Sequence, residues 1–167
     1  MIRRAITDDA LDMIEIYNEA ISDEVWANCD VIVTDPSKFI ASYFFDTAKY
    51  SCFVSMTPNG EVNAWGALKR FSARLPDDES IAEVAVYVKR GSRAKGIGIF
   101  LLQKLIIHAK NANFYSLIAI VVGKNIQSIR GCKYCGFEET VRMPEIVNFD
   151  GKYEDIVWLQ MILKKDM

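Results

Sequence analysis

Gly96 and Gly98 stand between a β-branched run and a stretch of helical periodicity. Upstream, residues 81–88 (IAEVAVYV) carry a β-branched side chain at nearly every second position, as a central strand does. Downstream, residues 99–111 repeat apolar side chains at helical spacing. A strand that enters a helix through glycines leaves backbone N–H groups able to approach an anion, and the helix dipole favours phosphate there. Arg93 and Lys95 add positive charge to the same turn, which reads Arg93-Ala94-Lys95-Gly96-Ile97-Gly98. A Walker loop is excluded, because no Gly-Lys-Ser/Thr follows. A GxGxxG dinucleotide fingerprint also fails, because Phe100, Leu101 and Leu102 follow Gly98 and Ile99. From the turn alone, a glycine-softened connection with solvated basic residues remains the competing reading.

The rest of the chain supplies strands and helices in a mixed order. Residues 2–6 read as a short strand, and Thr7 or Asp8 caps a helix over 9–21 with Leu11, Ile14, Tyr17 and Ile21 on one face. Thr34-Asp35-Pro36 opens a second helix, with proline near the first turn where its missing N–H costs nothing. Residues 51–56 and 62–71 form a hairpin around Thr57-Pro58-Asn59-Gly60. Residues 75–80 form a polar, acidic loop. Residues 116–122 are a buried strand and 125–135 a helix stopped by Gly136. Residues 138–148 and 153–163 close the chain as a hairpin on Asp150-Gly151. The order β-α-α-β-β-β-α-β-α-β-β predicts an α/β (α+β) fold with a mixed sheet, neither a pure Rossmann sheet nor a barrel.

Composition narrows the function. A chain of 167 residues suits one domain over 1–167, with a core that needs no staple. The formal charge of −2 argues against a nucleic-acid module. No apolar run reaches the roughly 20 residues of a membrane span. The N-terminus lacks the apolar core of a cleaved signal, so the expected compartment is the cytoplasm. Cys29, Cys52, Cys132 and Cys135 are joined by a single histidine, His108, too sparse a set for a structural zinc site. The CxxC of Cys132 and Cys135 admits a redox pair, but two reduced thiols on one helix is the plainer reading.

The strand-RxxGxG-helix unit resembles motif A of the GCN5-related N-acetyltransferase (GNAT) superfamily, and Asn125-Ile126-Gln127-Ser128 with Gly136-Phe137 resembles its motif B. Residues 2–21 and 151–163 are similar to the first strand and helix, and to the closing strand, of the phosphinothricin/methionine sulfoximine acetyltransferase branch. The resemblance spans essentially the whole chain. It implies a GNAT fold: a central, mostly antiparallel twisted sheet with helices on both faces, whose strands 81–88 and 116–122 splay apart. It further implies acetyl-CoA as co-substrate. Backbone amides of Val86 and Val88 would hold the pantetheine and polarise the thioester. Amides from Arg93 through Ala94, Lys95, Gly96, Ile97 and Gly98 would take the pyrophosphate. Asn125 and Ser128 would contact the cofactor from the later helix. A homodimer is the assembly the branch suggests.

Amine acetylation requires a neutral amine, and a carboxylate close by can take the proton. Glu83 is the candidate: a lone carboxylate in an apolar strand is costly unless used or partnered, and it matches the branch's catalytic Glu. Its competitor is an exposed strand-start Glu. Many superfamily members place a Tyr, and the branch a His, seven residues after the motif-B Asn. Here that position is Cys132, a candidate acid for the leaving thiolate or else a packing residue; Tyr134 points to the other side of the helix. Where the branch often carries a Lys before the last strand, this chain has Phe149. Asn18, Trp26, Trp65 and Lys69 are candidate walls of an acceptor pocket, each Trp being equally readable as core. The function this implies is acetyl transfer to a small primary amine, an amino acid or analogue. A peptide or protein N-acetyltransferase and a non-catalytic acyl-CoA-binding module are the alternatives.

Overall fold

The computed structural model describes residues 1–23, 32–46, 48–71, 80–149 and 151–163. Its strands are β1 (Ile2–Arg4), β2 (Cys52–Met56), β3 (Val62–Arg70), β4 (Ile81–Val88), β5 (Ser116–Val122), β6 (Glu138–Phe149) and β7 (Lys152–Ile162). Its helices are α1 (Ala10–Ser22), α2 (Pro36–Tyr43), α3 (Ile97–Asn111) and α4 (Ile126–Tyr134). The strands join in one sheet ordered β1-β2-β3-β4-β5-β7-β6. Every neighbouring pair is antiparallel except β4 and β5, which run parallel. A parallel pair needs a crossover, and α3 is that crossover.

Strand alternation sorts the core into two layers. On one face Ala64, Leu68, Ala82, Val84, Leu117, Ala119 and Val121 pack against Leu101, Leu102, Leu105 and Ile106 of α3 and Ile129 of α4. On the other, Val54, Trp65 and Ala67 meet Met13, Ile16 and Tyr17 of α1 and Phe39 and Tyr43 of α2. Helices therefore cover both faces. Gly66 brings α3 close: a Cβ there would lie 2.8 Å from Leu105 Cδ1 and 3.1 Å from the Ala85 carbonyl oxygen.

The expected elements are present, with local shifts. Asp35 caps α2 by accepting from the Ser37 amide at 3.0 Å, with Pro36 at the first position. Before α1 the chain makes a 3-10 turn at Thr7–Asp9, and neither Thr7 nor Asp8 caps the helix. The Asp9 carboxylate instead accepts from Ile6 N at 2.8 Å and from both Arg3 terminal nitrogens at 2.7 Å. That pairing holds its carboxyl below the usual range, the Arg3 hydrogen bonds being the main cause. α3 begins at Ile97, two residues before the periodicity suggests, because Gly96 and Gly98 dilute the apolar signal of its first turn. The expected 75–80 loop, except Ser80, and Asp150 of the last turn lie outside the described residues. Among the described residues no helix is long and apolar enough to cross a membrane.

Candidate active site

The parallel pair β4 and β5 is joined only at its beginning. Its rungs are Ile81↔Ser116, Ala82↔Leu117 and Glu83↔Ile118. β4 stays paired with β3 as far as Ala64↔Val88, and β5 stays paired with β7 as far as Val122↔Ile156. The two strands thus part after Glu83, and among the described residues the β5-facing edge of β4 has no strand partner from residue 84 onward. The Lys89 amide donates to Asn63 O on the β3 side at 2.9 Å. Alternation then turns the amides of Val84, Val86 and Val88 toward the gap. Val86 and Val88 are the two positions expected to hold a pantetheine arm, and an unpaired edge is what an extended amide-bearing chain pairs with.

The glycine turn closes the open end of this gap. Ala94 (φ 62°) and Gly96 (φ 77°) both adopt left-handed backbone. Gly96 precedes α3 with no side chain to cap it. The first helical bond runs from Phe100 N to Gly96 O at 3.1 Å. Among the described residues, the amides of residues 94–99 donate to no protein acceptor. A run of open N–H groups at a helix start, shaped by left-handed residues, is a nest for an anion. Gly98 lies beneath it, where a Cβ would come 3.5 Å from Val88 and 3.8 Å from Val86. A groove of about 480 Å³ borders the same turn on the β1–β3 side, lined by Met56, Pro58, Asn63, Lys95 and Phe100 among others.

Glu83 occupies the last shared rung, where the strands part. It shares its face with Ala85 and Tyr87, the face covered by α1 and α2. Lys69 is its direct cross-strand neighbour, with Nζ 3.7 Å from Oε1. Their side chains are 32% (Lys69) and 24% (Glu83) exposed, so the pair is reachable from solvent. Lys69 Nζ also lies 5.7 Å from the centre of the Tyr43 ring.

Several expected site residues have other work. Trp65 is fully buried, and its indole N–H donates to Met13 O at 2.9 Å, so it is a core residue and walls no open pocket. Asn18 binds the backbone of Val33 twice, at 2.9 and 2.8 Å, and pins the chain beyond α1 instead of offering a free amide. Cys132 is buried, and burial, helped by the neighbouring Cys135, pushes its thiol up to about 12. An ordinary thiol titrates near 8.5, so proton transfer from Cys132 to a leaving thiolate runs uphill, and the acid role expected for it does not fit this burial. His108 contacts the Lys49 carbonyl oxygen at 3.0 Å through Nε2. Asn125 caps α4, accepting from the Ser128 amide at 3.0 Å. That bond leaves the Asn125 amide nitrogen to face a ligand, while the Ser128 side chain hydrogen-bonds the Cys132 thiol. Trp26 lies outside the described residues.

Two features escaped the sequence reading. Arg93 does not extend freely over the turn: its Nε donates to Val88 O at 3.1 Å and its guanidinium pairs with Asp23. Lys124 lies 4.8 Å over the Phe149 ring and 3.2 Å from Glu154, so a lysine stands next to Phe149 although none occupies its position. The acids of α1 and its C-terminal end that reach the segment between β4 and α3 did have a signal, the spacing of Glu15, Glu19 and Asp23 at intervals of four.

The acetyltransferase (GNAT) domain family matches residues 2–158. YwnH of Bacillus subtilis (strain 168), provisionally named a phosphinothricin acetyltransferase, is 30% identical over 155 residues, covering 93% of this chain and 94% of that protein. The L-methionine sulfoximine/L-methionine sulfone acetyltransferase of Pseudomonas aeruginosa is 28% identical over 167 residues, covering 97% and 94%. The structure of YncA from Salmonella typhimurium with its cofactor acetyl-CoA superimposes with a TM-score of 0.91 at 28% identity, covering 100% of this chain and 95% of that one.

Proposed function

We propose, for a chain that belongs to the acetyltransferase (GNAT) family and is an acetyl-CoA-dependent N-acetyltransferase, that the acceptor is the primary amine of a small amino acid or analogue, acetylated by direct attack in a ternary complex. The observation that carries this reading is the position of the Glu83–Lys69 pair. It sits where β4 and β5 part, at the inner end of an edge whose outer end is a nest of open amides. An α-amino acid presents an amine and a carboxylate a few ångströms apart. A carboxylate and an ammonium 3.7 Å apart offer the complement: Glu83 for the amine, Lys69 for the carboxylate. The methionine sulfoximine/sulfone acetyltransferase relative acts on molecules of this kind by its name.

Acetyl-CoA supplies an acyl group already activated as a thioester. The residues of this chain do the rest. Amides 94–99 bind the diphosphate. The Val86 and Val88 edge holds the pantetheine and aims the thioester carbonyl at the apex of the gap. Glu83 accepts a proton from the acceptor ammonium, directly or through water, so that the nitrogen lone pair is free to form the new C–N bond. The C–S bond breaks, and the proton the nitrogen sheds as the amide forms passes through water to the departing thiolate, because Cys132 holds its own too tightly. Asn125 steadies the start of α4 beside the cofactor.

A thiol-release assay with acetyl-CoA across amino acids, methionine sulfoximine and sulfone, polyamines and peptides tests the reading. Turnover highest with free amino acids or their analogues supports it. Turnover confined to peptides favours a peptide N-acetyltransferase, and acetyl-CoA binding with no turnover on any amine favours a binding module. The homodimer suggested by the resemblance belongs to the same proposal. Sedimentation showing a monomer at every concentration removes it.

A further inference from the structure

We infer that Glu19 and Asp23 of the first helix region are positioning residues that hold the glycine turn open as a ready-made diphosphate socket. The inference rests on the acetyl-CoA reading above. A turn of this kind does not hold itself together. It carries a non-glycine residue, Ala94, in left-handed backbone, a conformation that persists only where the surroundings enforce it. Its amides 94–99 have no protein acceptor among the described residues. It gathers Lys89, Arg90, Arg93 and Lys95 next to the positive end of α3. Without an anion, every one of these features favours collapse or opening of the turn.

The α1 region answers with acids four residues apart, which places them on one helix face. The Arg90 amide donates to Glu19 Oε2 at 2.7 Å. Asp23 takes Arg90 Nε at 3.4 Å and, beyond it, the Arg93 guanidinium. Arg93 in turn donates from Nε to the Val88 carbonyl at the mouth of the gap. One carboxylate thus ties the turn, through Arg93, to the outer end of the cofactor edge. The Asp23–Arg93 side chains are 17% and 22% exposed, so water screens them only in part. Glu15 continues the row with Lys89 at 3.2 Å, but that pair is 66% and 45% exposed and contributes little.

The division of labour that follows is specific. The diphosphate is bound by amides, and the Arg93 charge is spent on Asp23 to fix where those amides point. Loss of the tie should then hurt only donors that carry a diphosphate. Acetyl-pantetheine has the thioester arm and lacks the diphosphate, so it reads out everything except the socket.

The test compares kcat/KM for acetyl-CoA and for acetyl-pantetheine in the full-length protein, with circular dichroism and melting curves confirming that each variant folds. Asp23→Ala and Glu19→Ala should lower kcat/KM for acetyl-CoA by about ten- to 150-fold, the range that hydrogen bonds to charged groups span. Both should leave acetyl-pantetheine within about twofold, as expected for loss of binding contacts made only to the missing part. Glu19→Gln, whose amide oxygen can still accept from Arg90 N, should restore most of the loss. Asp23→Ala/Arg93→Ala should lose less than the two single losses combined, because the residues act through one another. Equal losses with both donors, or no loss with acetyl-CoA, would overturn the inference. A wild-type protein with no affinity for acetyl-CoA would bring down the reading beneath it as well.

Discussion

Glu83 and Cys132 entered as the two catalytic candidates, and their surroundings separate them. Glu83 is partly exposed, faces Lys69 and stands where the strands part. Cys132 is buried with its thiol pushed up to about 12. Glu83→Gln is expected to keep acetyl-CoA affinity while turnover falls by about 10²–10⁴, the range for a general base; calorimetric binding alongside the thiol-release assay measures both. Unchanged turnover would remove Glu83 from the mechanism. Cys132→Ala is expected to keep kcat within about threefold, far from the loss of an acid catalyst. It should cost stability on the order of 1 kcal/mol, the scale of one buried methylene-sized group; urea unfolding and steady-state rates check the pair of outcomes. Strand alternation made the face of Glu83 legible from the sequence alone. The burial of Trp65 was one of two open readings, and the Val33 clamp of Asn18 and the tie between Arg93 and Asp23 were not legible, because each is set by a residue distant in sequence.

At the scale of the element, α3 and its contact with the sheet position the socket. Gly66 lets the helix approach, and an added Cβ would meet both Leu105 and the Ala85 carbonyl. Leu105 Cδ1 can swing away, but the β4 backbone cannot. Gly66→Ala is therefore expected to cost about 1–3 kcal/mol by overpacking and to weaken acetyl-CoA binding as the start of α3 is displaced. Melting curves and a binding titration test this, and a variant as stable and as tight as the parent would show that the contact sets nothing. The strands β2 to β7 and the helices α2 to α4 followed from periodicity, proline, glycine and cap residues, with ends off by a residue or two. The 3-10 turn at Thr7–Asp9 did not, since it depends on Asp9 reaching back to Arg3 and Ile6. Nor could spacing show that β4 and β5 share only three rungs; the family resemblance implied that they splay, and the length of their pairing is a tertiary property.

Across the whole molecule, acid should act on stability before it unfolds the core. Burial lowers the His108 pKa below its ordinary value of 6.5, with Arg4 and Lys104 adding to the effect. A histidine depressed in the folded state stabilises the fold above its unfolded pKa, and that contribution is lost as pH falls through the folded value. Asp9, lowered by Arg3, adds a second loss at more acidic pH, below its ordinary 3.8. Urea midpoints should thus fall from pH 7 toward pH 5, and His108→Gln should flatten that slope. A slope unchanged by the substitution would place the acid sensitivity elsewhere. The proposed mechanism depends on a diphosphate lying on amides 94–99 while an extended arm runs along β4 toward Glu83. A crystal structure of the protein with coenzyme A measures that directly. The expected density places the diphosphate within hydrogen-bonding distance of those amides and the pantetheine beside Val86 and Val88. Coenzyme A bound elsewhere, with that turn bare and β4 closed against β5, would contradict it.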